Sequence, residues 1–175
     1  GAVSSADTYW EGIKFGKDGE KFFMGNENKG EGYRGELVSP EFTVGGCGFV
    51  TFRLGAAGHF THQYVEVLNS AGNRVLARFY NVLYADRGGF GDEPDKNNPS
   101  KVSGQTLMKY KADLGAYIGE TVKLRIVDNW EVGGLGFVIF DDLVTYYENE
   151  SDIVSDYTLA ENYVYAVYNG GFETG

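Results

Sequence analysis

Hydrophobic and polar residues alternate in short segments along most of the first 150 residues, and glycine, asparagine or aspartate separates one segment from the next. Alternation with a period of two is the signature of half-buried β-strands. We predict eight such strands, at residues 21–24, 36–38 continuing at 42–44, 48–54, 64–69, 75–80, 107–112, 122–127 and 137–147. Short strands in this number predict an all-β fold, a two-sheet antiparallel β-sandwich.

Two local signals refine this pattern. The polar loop at 69–74 contains Gly72, which can take the positive φ of a tight turn, so residues 64–80 are predicted to form a hairpin. Helix signals are few. The strongest is a single turn that Asp113 caps and Gly119 ends.

The composition agrees with a β-fold and restricts the partners. At 175 residues the chain fits one domain, long enough to bury about 70% of its unfolded surface. It holds 26 glycines, only three prolines and 15% aromatic residues, as all-β folds do. A net charge of −10, without runs of Lys or Arg, argues against nucleic acid and anionic membranes as partners. The sequence has no stretch of about 18 apolar residues, so we predict no membrane insertion.

The sequence has no nucleophile elbow, zinc-protease motif, phosphate-binding loop or CxxC pair. Because these signatures of catalysis are missing, we predict a non-catalytic module with no catalytic residues. The single Cys47 excludes an internal disulfide and is interpreted as a small buried hydrophobe. His59 and His62 have a spacing that reaches one metal ion only if the loop curls into a turn. Loop polarity explains them better, because a third ligand is not obvious nearby.

A carbohydrate site is the best-supported binding chemistry. Trp130 lies in a polar turn after a predicted strand and before a glycine pair, and the segment 84–104 is unusually long for a loop. Aromatic rings cover the C–H face of a sugar, while carboxylates and guanidinium groups bind its hydroxyls. A Trp130 ring packed beneath its own loop explains the turn equally well. The predicted ligand-binding residues are Trp130, Asp128, Tyr84, Asp86 and Arg87.

Several longer strings are similar to a known type of module. They resemble, in the same order, a module appended to bacterial levanase- and fructanase-type glycoside hydrolases, over about residues 8–150. Departures from its pattern lie at 129–135 and in the long segment 84–104. The strings are Lys17–Gly25, Gly35–Gly55, Arg74–Asn81, Lys109–Gly119, Ile126–Asn129 and Phe140–Glu148.

The resemblance implies a galactose-binding-like jelly roll that is secreted or displayed on the bacterial cell surface. It further implies a carbohydrate-binding accessory module, which targets a tethered catalytic domain to a polysaccharide or oligosaccharide. The alternative is a structural spacer or adhesin-type module of a surface protein that binds no sugar itself.

The resemblance also implies a structural calcium ion, held between a Glu of an N-terminal Gly-Phe-Glu strand and an Asp of the last strand. Asp141 matches the last-strand position, whereas the other string occurs at the far end of the chain, with Glu173. We therefore predict a module at 1–150, and a linker with the start of a following repeat at 151–175. Residues 170–174 should fill the open sheet edge, in cis or by strand exchange with a neighbouring copy, and bring Glu173 to Asp141.

Overall fold

The computed structural model describes residues 2–8, 12, 14–27, 29–30, 32–59, 61–81, 106–131, 136–155 and 157–159. Within these residues the chain forms strands and two 3-10 turns, at Gly115–Tyr117 and Glu150–Asp152, but no α-helix. The strands are β1 (Ala2–Ser4), β2 (Phe22–Met24), β3 (Gly35–Val38), β4 (Phe42–Thr43), β5 (Phe49–Ala56), β6 (Gln63–Asn69), β7 (Val75–Phe79), β8 (Met108–Asp113), β9 (Thr121–Asp128), β10 (Val138–Val144) and β11 (Tyr157–Leu159).

The strands form two sheets that pack face to face. The six-stranded sheet has the order β1-β2-β10-β5-β8-β11, and the five-stranded sheet has the order β3-β9-β6-β7, with β4 also paired to β9. Every pairing is antiparallel except that of β11 with β8. The predicted all-β, two-sheet antiparallel sandwich is therefore confirmed.

The core lies between the sheets, where alternate residues of the central strands point inward. Phe52 of β5 lies at its centre, with ring centroids 5.4 Å from Phe140 in its own sheet and 6.4 Å from Phe79 in the opposite sheet. Burying a large apolar side chain stabilises the fold by about 1.5–3 kcal/mol. The inward-facing residues of β5 and β9 are Val50, Phe52, Leu54, Val122, Leu124 and Ile126.

The local predictions agree with the structure. Each of the eight predicted strands is present, and β6 and β7 form the predicted antiparallel hairpin, with Gly72 at a φ of +72°. At the predicted helical turn, the backbone N–H of Gly115 donates to Asp113 Oδ1 at 2.7 Å, and Gly119 ends the turn at a φ of +91°. No helix in the described part of the chain has the length and apolar character to cross a membrane.

Three features differ from the prediction or lie outside it. Strands β1 and β11 were not predicted, because three residues are too few to show alternation. β11 falls within the predicted linker and pairs with β8. Cys47 is partly exposed, so its interpretation as a buried hydrophobe is wrong. It lies in a turn between Gly46 and Gly48, which have positive φ values of +54° and +80°.

Candidate functional site

Three strands of the five-stranded sheet meet at one end of the sandwich. Asp128 is the last residue of β9, and it is paired with Gln63 at the start of β6 and with Gly35 at the start of β3. The same alternation that buries Ile126 turns the Asp128 side chain inward, toward the other sheet. Only 4% of Asp128 is exposed. A carboxylate is thereby enclosed where the two sheets end.

The Asp128 carboxylate has few partners for so buried a group. Oδ1 accepts a hydrogen bond from Gln63 Nε2 at 2.9 Å. Oδ2 faces Gly25 so closely that a Cβ atom added to Gly25 would lie 2.8 Å from it. Oδ2 has no hydrogen bond of normal geometry within the described residues. Burial raises the pKa of Asp128 to about 6, although Gln63 and the backbone amides of Trp130 and Val138 favour its charged form.

The indole of Trp130 packs against two histidines. The His59 ring stacks on it with centroids 3.6 Å apart and planes 11° apart, and the His62 ring meets it edge-on at 5.3 Å. Burial, together with the charge of His62, lowers the pKa of His59. Trp130 is half-buried, and its Nε1 has no hydrogen-bond partner in the described part of the chain. The two histidines are thus aromatic neighbours of Trp130, a role that the sequence did not predict.

The loop that carries His59 begins with strained backbone. Ala56 and Ala57 are fully buried and have positive φ values of 53° and 55°, which cost a residue with a side chain roughly 1–2 kcal/mol each. Two hydrogen bonds hold this conformation: Ala57 N–H donates to the Phe137 carbonyl at 2.8 Å, and Asn81 Nδ2 donates to the Ala56 carbonyl at 2.8 Å. The surrounding structure therefore fixes the direction in which the His59 loop leaves the sheet.

An open groove of about 460 Å³ lies on the outer face of the five-stranded sheet, next to this end. An aromatic ring, two guanidinium groups, a carboxylate and an amide side chain surround it. At its rim Arg34 forms an ion pair with Glu131. The residues that line the groove are Arg34, Gly35, Glu36, Tyr64, Arg125, Val127, Asp128 and Asn129.

A buried carboxylate organises the outer face of this sheet. Glu66 is 1% exposed, and each of its two oxygens accepts two hydrogen bonds from one arginine. Arg78 Nε and Nη2 donate to Oε1 at 3.0 and 2.6 Å, and Arg125 Nε and Nη2 donate to Oε2 at 2.9 and 2.5 Å. The Arg78 guanidinium also lies 4.1 Å from the centroid of the Tyr64 ring. This charge-assisted network raises the pKa of Arg125.

Sequence reasoning missed this triad, because its members are far apart along the chain. A partial signal existed: the predicted hairpin places Glu66 opposite Arg78, as the observed register does. The pairing of Glu66 with Arg125 depends on the β6–β9 register, which spans 59 residues and leaves no local trace.

The predicted site residues divide into those that are described and those that are not. Asp128 and Trp130 do lie at the same end of the sandwich. Asp141 is on β10 in the other sheet, where its Oδ2 accepts the backbone N–H of Asp18 at 2.7 Å. The described residues contain no group of three or more His, Cys, Asp or Glu that could hold a metal ion. Tyr84, Asp86, Arg87 and Glu173 lie outside the described residues.

Comparisons of the chain with protein-family models, with curated proteins and with solved structures find no match. The similarity to levanase-type modules therefore stays a prediction that depends on the strings that suggested it.

Proposed function

We propose that this chain is a non-catalytic, glycan-binding accessory module of a secreted or cell-surface bacterial glycoside hydrolase. The observation that carries the proposal is the groove beside Asp128, with its tyrosine ring and fixed polar groups. By binding a polysaccharide or oligosaccharide there, the module would raise the local concentration of a tethered catalytic domain on its substrate.

The groove offers the chemistry that sugars require. Vicinal hydroxyls both donate and accept hydrogen bonds, so a guanidinium such as that of Arg125 and a carboxylate such as that of Glu36 can each bind a pair of them. The Tyr64 ring provides an apolar surface for C–H groups. Because the groove is open and each contact contributes about 0.5–1.5 kcal/mol, we expect weak binding, with a Kd on the order of 0.1–1 mM.

The two acidic residues at the groove, Glu36 and Asp128, support binding rather than cleavage. Glycoside hydrolases place two carboxyl groups on either side of the scissile bond. Here the Asp128 carboxylate points between the sheets, toward Gly25, while Glu36 lies on the outer surface. The pair is therefore not directed at a common ligand.

A structural spacer without sugar binding is the second candidate, and one observation favours it. The face of Trp130 that stacks on His59 is covered, and its indole Nε1 is enclosed. An aromatic ring used in this way stabilises its own loops and has less surface left for a ligand. The two candidates differ in whether the groove at Tyr64 and Arg125 binds a glycan.

A structural calcium ion is part of the proposal. Asp141 supplies the carboxylate expected in the last strand, and its contact with the Asp18 amide brings the loop at residues 17–20 beside it. Glu173, from this chain or from a neighbouring copy, would complete the carboxylate pair. The calcium ion would hold the loop and the strands together, because it prefers several oxygen ligands from different segments.

Isothermal titration with levan and β-galactan oligosaccharides tests the proposed function. Arg125→Ala should weaken binding about tenfold or more, because it removes a guanidinium donor from the groove and leaves Glu66 Oε2 without its arginine. The matched control is Arg74→Ala, since Arg74 is exposed in the β6–β7 hairpin loop, away from the groove. If neither oligosaccharide binds the unmodified chain, the spacer becomes the better description.

A further inference from the structure

Glu66 connects both sides of the groove without lining it. Its Oε2 fixes the guanidinium of Arg125, which lines the groove, and its Oε1 fixes Arg78. Arg78 in turn packs over the ring of Tyr64, the aromatic residue of the groove. Two charge-assisted hydrogen bonds from one guanidinium to the same carboxylate oxygen restrict the position and orientation of that guanidinium. A single enclosed carboxylate therefore sets the geometry of the aromatic and the cationic side chains together.

The same carboxylate also removes positive charge from the groove. Arg125 is paired with Glu66 and lies 3.7 Å from Glu36, and Arg34 at the rim is paired with Glu131. Each arginine that lines the groove is thus matched by a carboxylate. The chain as a whole carries a net charge of −10, which repels anions from its surface. A carboxylated sugar would meet no uncompensated cation here and would lie next to Glu36.

We propose that Glu66 is the positioning residue of the groove and that, together with Glu36, it makes the groove selective for uncharged glycans over acidic ones. This inference rests on the proposed function, because it names the class of glycan that the groove takes. The hydroxyl pairs of a neutral sugar would bind the remaining N–H groups of Arg125 and the oxygens of Glu36. Such a sugar brings no charge that the groove would have to neutralise.

One polymer in two forms tests this selectivity. Polygalacturonan oligosaccharides and the same oligosaccharides after reduction of their carboxyl groups differ only at C6, where a charged carboxylate becomes a neutral CH2OH group. Levan oligosaccharides serve as a second neutral probe. The measured quantity is the ratio of affinities for the reduced and the native forms. Glu36→Gln is the first variant, since the Glu36 side chain is 58% exposed and its loss should leave folding intact. Glu66→Gln is the second, with Glu66→Asp as the conservative change.

We expect the unmodified chain to bind the reduced form more tightly than the native form. Glu36→Gln should lower that ratio about threefold to tenfold at low ionic strength, as the loss of one nearby charge implies, and added salt should shrink this effect. Glu66→Gln should lower the ratio as well, while Glu66→Asp retains it even if overall affinity falls. Glu150→Gln, an equal loss of charge on the other side of the sandwich, should leave the ratio unchanged.

Two outcomes overturn the inference while the proposed function survives. One is tighter binding of the native acidic form by the unmodified chain, and the other is a ratio that neither Glu36→Gln nor a folded Glu66→Gln changes. A chain that binds none of the three probes has a different meaning, because it removes the glycan-binding function and the inference falls with it. Urea unfolding of each variant separates a loss of selectivity from a loss of the fold.

Discussion

The substitution Asp128→Asn should change how the stability of the protein depends on pH. Asp128 is 4% exposed, and burial raises its pKa from 3.8 to about 6. A carboxyl group whose pKa is higher in the folded state binds its proton more tightly there than in the unfolded chain. Its contribution to stability is therefore present below pH 3.8 and is lost as the pH rises through 6.

The size of this loss follows from the two pKa values. A change from 3.8 to about 6 corresponds to about 3 kcal/mol between the protonated and the ionised forms. Asparagine has no charge to bury at any pH, and its Oδ1 can still accept the hydrogen bond from Gln63. The free energy of unfolding of Asp128→Asn, relative to the unmodified protein, should therefore rise by about 2.4 kcal/mol between pH 4 and pH 7, because part of the loss has already occurred at pH 4.

Urea unfolding at several pH values between 4 and 7.5, followed by tryptophan fluorescence, measures this difference directly. Any effect of the asparagine amide on the free energy of unfolding that does not depend on pH cancels, because only the change with pH is compared. Glu41→Gln is a useful control of opposite sign: hydrogen bonds from Ser70 and Lys123 lower the pKa of Glu41, so this variant should lose stability relative to the unmodified protein as the pH rises. A difference for Asp128→Asn that stays constant within about 0.5 kcal/mol would refute the account of Asp128 as a buried carboxylate without a charged partner.

Three further predictions concern close packing, the loop tips and the end of the chain. Gly25→Ala should destabilise the fold by about 2 kcal/mol, because the added Cβ would lie 2.8 Å from Asp128 Oδ2 and 3.2 Å from the Val138 carbonyl oxygen. Gly30 has open space around it, so Gly30→Ala should cost less than about 0.5 kcal/mol in the same urea assay. Trp130→Ala and Arg87→Ala should each weaken glycan binding in a titration if the predicted loop tips contribute, and unchanged affinity in both removes these two residues from the site. Deletion of residues 169–175 should lower the melting temperature and reduce its dependence on calcium, and Asp141→Asn should have the same two effects. Equal melting curves with and without residues 169–175 would discard the hypothesis that this segment fills the sheet edge.

The strands were predictable because their signal is local. In β5 and β9, inward-facing residues such as Phe52 and Leu124 alternate with partly exposed residues such as Arg53 and Arg125. A period of two survives in the sequence whatever the strands pair with. The parallel pairing of β11 with β8 left no such trace, since it joins three residues to a strand more than forty positions earlier.

The candidate site was only partly predictable. A polar residue directly after a buried strand marked Asp128, but the sequence could not show that this carboxylate turns inward, toward Gly25. The stacking of His59 on Trp130 and the pairing of Glu66 with Arg125 both depend on contacts between distant segments. Such contacts are set by sheet register and loop packing, which a single sequence does not record.

Nuclear magnetic resonance titration tests most directly whether the groove on the five-stranded sheet binds glycans. Neutral levan or β-galactan oligosaccharides should shift the backbone resonances of Tyr64 and Arg125 and of the neighbouring Glu36 and Asn129, in fast exchange and with saturation in the millimolar range. The β5–β8 region of the opposite sheet should stay unchanged. Shifts confined to other surfaces, or none at saturating sugar, would contradict the assignment of the groove as a glycan site.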